Sequence, residues 1–185
     1  MRITGGRLGG RNLVAPKDMR VRPTSDKVRQ AIFNILEHNV MDAGIEGLRV
    51  LDLFAGTGAL GLEALSHGAS YCNFVDDAAE SRALIHRNVE ALGLTGACKI
   101  WRRDATALGT CATEGFALAF LDPPYRKDLV PRALASLRDG RWLTGEAIAV
   151  VETAEDEAIP GIQGFERIDA RDYGDTRVIF YRFVA

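Results

Sequence analysis

The sequence predicts an α/β fold, a doubly wound and mostly parallel sheet that closes in an antiparallel hairpin. Three observations carry this prediction. An apolar strand at 50–54 passes through a glycine turn straight into a helical pattern that ends before Gly68. Between residues 71 and 151, short apolar runs alternate with helical periodicity, which is typical of parallel β/α units. The two last β-rich runs are separated only by Gly174 and Asp175, a strong hairpin signal.

The elements follow in chain order. Weak alternation and paired glycines over residues 2–14 predict one or two short strands joined by turns, and 15–23 is a proline-punctuated connection. Thr24 or Ser25 can cap a helix that runs to about His38. Further helices are expected at about 78–92 and 128–138. The remaining strands are expected at Tyr71–Val75, Cys98–Arg103, Phe116–Leu121, Ala147–Val151, Phe165–Tyr173 and Thr176–Phe183.

Composition excludes several protein classes. At 185 residues, with 47% hydrophobic and 26% charged residues, the chain fits one globular domain with a small appendage. No apolar run approaches the roughly 20 residues that span a bilayer, and the first residues lack a signal-peptide pattern. The three cysteines are scattered and the three histidines isolated, so we expect a cytoplasmic protein without a metal site or membrane contact.

The net charge of −2 hides an asymmetry along the chain. Residues 1–30 hold eight basic and two acidic side chains, a balance of +6, whereas the remaining 155 residues carry −8. Aliphatic residues and glycines interrupt the basic run, which favours a short hairpin over a flexible tail. A basic end on an acidic body predicts contact with nucleic acid.

The glycine loop predicts a cofactor with a nucleoside. Gly56, Gly58 and Gly61 stand at i, i+2 and i+5 between a strand and a helix. In this pattern the first glycine allows the sharp turn, the second lets a ligand approach, and the third lets helix and strand pack closely. Asp76 ends the next strand, twenty positions after Gly56, where an acid can hold ribose hydroxyls. These residues fit a dinucleotide and S-adenosylmethionine equally.

The tetrapeptide Asp122-Pro123-Pro124-Tyr125 selects the chemistry. It follows an apolar strand, so it should lie beside the glycine loop at the carboxyl edge of the sheet. The prolines remove two N–H donors, which leaves carbonyl oxygens, one carboxylate and an aromatic face. That set suits a planar base whose exocyclic amine donates to Asp122 and to the Pro123 carbonyl while its ring lies on Tyr125. Such bonds aim the nitrogen lone pair at a sulfonium methyl group held beside it.

These residues give the chain a family resemblance. It resembles the class I S-adenosylmethionine-dependent methyltransferases, with their Rossmann-like, seven-stranded sheet, and more narrowly the RsmD-type 16S ribosomal RNA guanine-N2 methyltransferases. The glycine loop and Asp122–Tyr125 mark the superfamily. The narrower match is carried by the amino-terminal Arg-Ile-Thr-Gly-Gly-Arg, by 22–26 (Arg-Pro-Thr-Ser-Asp), by 33–36 (Phe-Asn-Ile-Leu) and by the hairpin at 173–183.

The resemblance implies a role for each candidate residue. Residues 1–23 would form a basic β-hairpin extension and linker, and 24–185 the methyltransferase domain. The 22–24 segment and the following helix would cover the cofactor, and Asp122 to Tyr125 would hold the target guanine. The family usually has Glu where this chain has Asp76, so Asp77 could share its role. The cofactor residues would be Asp52, Gly56, Thr57 and Gly58 at the methionine end, Asp76 at the ribose, and Asp104 and Ala105 at the adenine. The RNA contacts would be Arg2, Arg7, Arg11 and Arg22.

Other functions remain open at this stage. The tetrapeptide recognises an amine and not a particular base, so an amino-methyltransferase acting on adenine N6 in RNA or DNA is the alternative enzyme. A nucleotide-linked dehydrogenase shares the glycines and Asp76 but leaves the tetrapeptide and the basic end unexplained. A non-catalytic RNA-binding assembly factor is the alternative outside the enzymes. The expected substrate is 16S ribosomal RNA within a small subunit or an assembly intermediate. The protein is expected to act as a monomer.

Overall fold

The computed structural model describes residues 1–18 and 24–184. The helices are α1 (Asp26–Ile35), α2 (Ala59–Ser66), α3 (Ala79–Ala91) and α4 (Leu129–Asp139). The strands are β1 (Arg49–Leu53), β2 (Tyr71–Val75), β3 (Cys98–Trp101), β4 (Phe116–Leu121), β5 (Leu143–Ala154), β6 (Phe165–Tyr173) and β7 (Thr176–Phe183).

The seven strands form one sheet in the order β3-β2-β1-β4-β5-β7-β6. Strands β1 to β5 pair in parallel with one another, whereas β7 pairs antiparallel with both β5 and β6. The predicted doubly wound fold with a C-terminal antiparallel hairpin is therefore confirmed. Within this hairpin, β7 lies inside the sheet and β6 forms its edge. The carboxyl ends of β1, β2, β4 and β5 meet on one side, where the ligand site of such a sheet is expected.

Two apolar cores cover the two faces of the sheet. One contains buried side chains of α1, α2 and α3 against β1, β2 and β4, and it also takes in Ile3 and Leu13 of the amino-terminal segment. The other packs α4 and Trp142 against the opposite face of β1, β4, β5 and β7. Burial on both faces explains why β4 reads as a continuous apolar run.

Three elements, α1, β3 and β5, differ from their predicted extent, and β3 ends at Trp101, two residues before the predicted Arg103. Ser25, and not Thr24, caps α1 by accepting the Val28 amide at 3.2 Å. A wider π-helical turn then extends this helix over Leu36–Val40. Strand β5 begins four residues earlier than predicted, because an irregularity shifts its register with β4 and Glu146 adopts a positive φ of 62°.

The amino-terminal segment, residues 1–18, pairs with itself only briefly. Arg2 and Asn12 form one antiparallel bridge, and a 3-10 turn at Gly6–Leu8 reverses the chain. The Ile3 amide donates to the Arg11 carbonyl at 2.9 Å, and the Leu13 amide to the Met1 carbonyl at 3.0 Å. The predicted boundary between extension and domain falls at 23/24, beside residues outside the described part of the chain, and that division stays a prediction.

Neither a membrane span nor a metal cluster is found in the described ranges. No helix within 1–18 and 24–184 is long and apolar enough to cross a bilayer. The same residues contain no group of three or more His, Cys, Asp or Glu side chains placed to hold a metal ion.

Candidate functional site

The glycine loop follows β1 and contains three residues with positive φ angles. Phe54, Gly56 and Gly58 have φ angles of 54°, 59° and 80°. Such angles are costly for Phe54, and residues held in them cluster at ligand sites. Asp52, near the end of β1, accepts the Gly61 amide at 2.9 Å and so fastens the first turn of α2 to the strand.

Each of the three loop glycines is explained by a different feature of its surroundings. A Cβ on Gly61 would lie 2.4 Å from Phe74 Cε1 and 2.6 Å from Cys72 Sγ, so only glycine lets α2 approach β2. A Cβ on Gly58 would also meet Phe74, at 3.3 Å, and would therefore point into the core. A Cβ on Gly56 would meet only the Phe54 carbonyl, at 3.9 Å. The open space for a ligand is thus at Gly56, whereas the sequence pattern assigns it to Gly58.

Asp76 joins the glycine loop to the start of α3. One carboxylate oxygen accepts the Gly56 amide at 2.9 Å, and the other accepts the Ala78 amide at 2.9 Å. Each oxygen keeps a second lone-pair direction for a ligand. Asp77 is exposed and lines the same cavity as Asp76, so both acids stay candidates for ribose contact.

Two adjoining cavities lie above the carboxyl ends of the strands. The larger, of about 660 Å³, is lined by most of the predicted residues: Gly56, Asp76, Asp104, Ala105, Asp122, Pro123, Pro124 and Tyr125. The smaller, of about 270 Å³, is lined by Asp52, Gly56 and Thr57, and also by Thr24 and Asp122. Gly56 and Asp122 line both. Of the predicted cofactor and catalytic residues, only Gly58 is absent from both walls.

A hydrogen-bonded cluster surrounds the tetrapeptide. The Thr24 hydroxyl lies 3.1 Å from Asp122 Oδ2 and 2.5 Å from Glu152 Oε2, so it can donate to either carboxylate. The charge of Glu152 also acts on the neighbouring Asp122 carboxyl group. The Tyr125 hydroxyl lies 3.3 Å from Glu152 Oε1 and 3.1 Å from Thr176 Oγ1. These bonds fix both ends of the tetrapeptide.

The carboxyl groups of the site have shifted pKa values. Burial raises the pKa of Asp52 to about 8, and the charge of Asp76 adds to this rise. Burial and the neighbouring Glu152 hold the pKa of Asp122 well above its usual range. The exposed Asp104 is the opposite case, because bonds from the Thr106 hydroxyl and amide at 2.7 and 2.8 Å lower its pKa. Acids crowded away from water favour a positively charged ligand.

Sequence reasoning missed several residues of the site. Glu152 could have been found, because it follows the apolar run of β5 just as Asp122 follows that of β4. The sequence indicates a capping role for Thr24 and the resemblance places it in the segment over the cofactor, but neither shows that its side chain turns to Asp122. Arg103 and Arg132 also line the larger cavity and give its rim positive charge.

The amino-terminal segment is fastened to the domain by buried polar groups. The Glu63 carboxylate, fully buried in α2, accepts the Thr4 amide at 3.0 Å and also the Thr4 hydroxyl. Asn88 of α3 accepts the Val14 amide at 2.7 Å and donates to the carbonyl of Thr57 in the glycine loop at 3.0 Å. The segment therefore lies against the helices that carry the cofactor loop.

The fully buried Arg29 of α1 completes this attachment. Its guanidinium pairs with Glu63 at 3.3 Å and with Asp26 at 2.8 Å, and it donates to the carbonyls of Thr24 and Arg2. One side chain thus joins the amino-terminal segment to the residue that contacts Asp122.

Three of the four predicted RNA-contacting arginines lie on this segment. Arg2, Arg7 and Arg11 are exposed. The Arg2 side chain is 66% exposed and 4.0 Å from Asp26, a weak pair, while Arg11 donates to the Ala91 carbonyl at 2.8 Å. Arg22, and with it most of the 22–24 segment expected to cover the cofactor, lies outside the described residues.

Comparison with known proteins identifies the relatives of the chain. "Ribosomal RNA small subunit methyltransferase D" of Escherichia coli K12 is 36% identical over 165 residues, which are 88% of this chain and 79% of that protein. "Putative rRNA methyltransferase YlbH" of Bacillus subtilis is 35% identical over 186 residues, covering 98% of both chains. The solved structure titled "Putative methyltransferase yhhF from Escherichia coli" superposes with a TM-score of 0.84 at 28% identity, over 100% of this chain and 98% of that one.

A family profile matches nearly the whole chain, and the resemblance drawn from the sequence is confirmed. The chain belongs to the family described as conserved hypothetical protein 95, whose profile matches residues 1–182.

Proposed function

We propose that the protein transfers a methyl group from S-adenosylmethionine to the exocyclic N2 amine of a guanine in small-subunit ribosomal RNA. The observation that carries this proposal is the position of Asp122, which lines both the cavity at the glycine loop and the cavity at Tyr125. The methionine end of a cofactor would lie in the smaller cavity and its ribose and adenine in the larger, so its methyl group and a base held at Tyr125 would meet at this carboxylate. The ribosomal substrate is supported by the name of the Escherichia coli relative, a small-subunit rRNA methyltransferase.

The residues present fit the cofactor. Gly56 leaves its side-chain direction open at the junction of the two cavities. Asp52 would take the amino group at the methionine end beside Thr57, Asp76 or Asp77 the ribose, and Asp104 with Ala105 the adenine. The acidic walls suit the positively charged amino and sulfonium groups. When bound, S-adenosylmethionine supplies an electrophilic methyl group on sulfur, and the sulfur keeps the bonding electron pair as a neutral thioether.

The tetrapeptide would hold and orient the target amine. Asp122 and the Pro123 carbonyl accept its two N–H groups, because the prolines provide acceptors without donors. The ring of Tyr125 offers a stacking face, while its hydroxyl is bonded on the far side to Glu152 and Thr176. Held in this way, the nitrogen directs its lone pair at the methyl group. The nitrogen gains the methyl carbon and loses one proton, which Asp122 would accept.

RNA would reach the site over basic surfaces. Exposed Arg2, Arg7 and Arg11 would bind phosphates, with Arg22 as a further candidate, and Arg103 and Arg132 at the cavity rim carry the same charge. So few basic groups offer little sequence readout. We therefore include in the proposal a substrate within the small subunit or an assembly intermediate, modified by a monomer.

The test uses tritiated S-adenosylmethionine and small subunits from cells lacking the corresponding activity. The RNA is digested and the labelled nucleoside identified, and we expect N2-methylguanosine. Labelled N6-methyladenosine would keep the reaction and overturn the base. Cofactor binding without label on subunits or free RNA would favour a non-catalytic RNA-binding factor. Calorimetry with NAD tests the dehydrogenase alternative, for which we expect no binding.

The control for this test is Asp122→Asn. The amide keeps the shape of the side chain but turns an NH2 group towards the substrate amine, so we expect label incorporation to fall by roughly 100-fold or more. RNA binding should be retained. Full activity in this variant would remove Asp122 from the proposed mechanism.

A further inference from the structure

The buried carboxylate of Glu152 is a feature that neither the tetrapeptide nor the glycine loop accounts for. Glu152 is only 6% exposed and lies near the carboxyl end of β5. Leu121 of β4 pairs in parallel register with Val151 of β5, so the next residues along the two strands, Asp122 and Glu152, stand side by side. Two neighbouring carboxyl groups with little access to water are costly, and an apolar residue would pack here at lower cost.

Glu152 is bonded to residues that line both cavities but lines neither cavity itself. In the wall of the larger cavity it is bonded to the Tyr125 hydroxyl at 3.3 Å. In the wall of the smaller cavity it is bonded to the Thr24 hydroxyl at 2.5 Å, and the same hydroxyl lies 3.1 Å from Asp122. Because Glu152 does not line the cavities, it would act on a ligand there through these neighbours.

We propose that Glu152 is a positioning residue for methyl transfer, holding Tyr125 and Thr24 from behind the cavity so that the stacking ring and the Asp122 carboxylate keep the geometry the target base needs. This inference rests on the proposed function. A tyrosine hydroxyl bonded to Glu152 and Thr176 fixes the tilt of the ring that faces the base. Thr24 fixes one oxygen of Asp122. Displacement of a methyl group depends on such placement to within about 1 Å.

The first test compares Glu152→Gln with Glu155→Gln. The glutamine side chain in Glu152→Gln keeps the size and one acceptor oxygen but cannot accept hydrogen bonds at its NH2 group. We expect kcat to fall roughly 10- to 100-fold, while the dissociation constant of S-adenosylmethionine and the melting temperature stay close to wild type. Glu155 is exposed and directly follows the same strand, so Glu155→Gln should have wild-type kcat.

A double-mutant cycle separates positioning from general packing. Tyr125→Phe keeps the ring and removes the hydroxyl that Glu152 holds, and we expect a similar loss of kcat. In Glu152→Gln/Tyr125→Phe the two losses should combine to clearly less than their product, because both changes break the same contact. If Glu152→Gln fails to fold, Tyr125→Phe and Thr176→Val test the same clamp from its other end, and each should lower kcat.

The pH profile provides a readout that packing alone would not change. Within residues 1–18 and 24–184, the titratable groups facing Asp122 are Glu152, Asp52 and Tyr125, and the charge of Glu152 raises the pKa of Asp122. Removing that charge lowers the pKa of Asp122, so the acid limb of kcat should move to lower pH in Glu152→Gln.

The outcomes distinguish this inference from the proposed function. An active wild-type protein with unchanged kcat in Glu152→Gln and Tyr125→Phe would overturn the inference alone. Losses that simply multiply, or that follow a fall in melting temperature with an unmoved acid limb, would also overturn it. Wild-type protein that labels no RNA would overturn both.

Discussion

At the scale of single residues, protonation of Asp52 should couple cofactor binding to pH. Burial raises its pKa to about 8, so the free protein holds this carboxyl group mostly protonated at neutral pH. A positively charged amino group binds the ionised form, and binding must therefore displace the proton. Between the usual aspartate pKa and about 8, the affinity should strengthen as the pH rises.

Proton release tests this coupling. At about pH 6.5, we expect binding of S-adenosylmethionine to release close to one proton, because Asp52 changes from neutral to charged on binding. The measurement is calorimetry in buffers of different ionisation enthalpy. Asp52→Asn should lose the release, whereas Asp104→Asn should keep it, since the pKa of Asp104 is already lowered. A binding enthalpy independent of the buffer would contradict the prediction.

Residues of the site were predictable where their position along a strand decides their place. Asp76 and Asp122 follow apolar runs and Asp52 lies near the end of one, and the carboxyl ends of parallel strands meet at one edge. The contact of Thr24 with Asp122 was not predictable from local sequence, since it joins residues 98 positions apart. Gly58 shows the reverse case, because its φ of 80° needs glycine without any ligand beside it.

At the scale of elements, α2 depends on one close approach to the sheet. Gly61 lies in the helix with an ordinary backbone conformation, yet a Cβ there would overlap Phe74 and Cys72, both fully buried. The contact holds the amino terminus of α2, and with it the glycine loop, close to β2.

Gly61→Ala should reverse the usual effect of this substitution. Alanine in a helix normally gains up to about 1 kcal/mol over glycine, but overpacking at this contact should lower the free energy of unfolding by roughly 1–3 kcal/mol. Urea unfolding measures it, with Gly96→Ala as the control, because a Cβ there meets nothing within 4 Å. Unchanged stability would mean that α2 can move away from β2 at no cost.

The buried ion pair between α1 and α2 gives a second prediction at this scale. Arg29→Met leaves Glu63 charged and buried without its partner, so we expect a loss of about 3–5 kcal/mol in the free energy of unfolding. The double variant Arg29→Met/Glu63→Gln should recover part of this loss, since its uncompensated charge is gone. Arg2→Met, at a side chain 66% exposed, should cost little. Additive losses in the double variant would refute the coupling.

Element boundaries were predictable where turn chemistry is local. Gly174 and Asp175 fix the hairpin, and β6 and β7 have their predicted bounds. The early start of β5 was not predictable, because Gly145 and Glu146 interrupt the apolar pattern and the register shift depends on β4. The brief pairing of residues 2–14 has a similar cause, since their amides and carbonyls bond to buried side chains of α2 and α3 as well as to each other.

At the scale of the whole molecule, the sign of the charge differs between the cavities and the amino-terminal segment. Acids line the cavities, whereas exposed arginines lie on the amino-terminal segment. A polyanion is attracted by the latter and repelled by the former unless the rim arginines intervene. RNA affinity and cofactor affinity should therefore be separable.

A triple substitution tests this separation. Replacing Arg2, Arg7 and Arg11 by glutamine should weaken RNA binding and reduce the slope of log affinity against log salt by about 2, as expected when up to three phosphate contacts are lost. S-adenosylmethionine binding should not change. The control replaces three other exposed basic residues, Lys99, Arg141 and Arg167, with the same change in net charge. An equal effect of both triple variants would mean that the attraction is not localised.

The attachment of the amino-terminal segment has a consequence for evolution and for protein engineering. Glu63 and Asn88, which hold this segment, belong to α2 and α3, the helices beside the glycine loop. A segment grafted from a relative would have its own backbone path, but the buried side chains that it must contact would be those of the recipient. Polar groups left without a hydrogen-bond partner there would destabilise the chimera. The amino-terminal segment, which we propose contacts RNA, is thus not exchangeable on its own. Substrate preference should therefore be inherited together with the catalytic core.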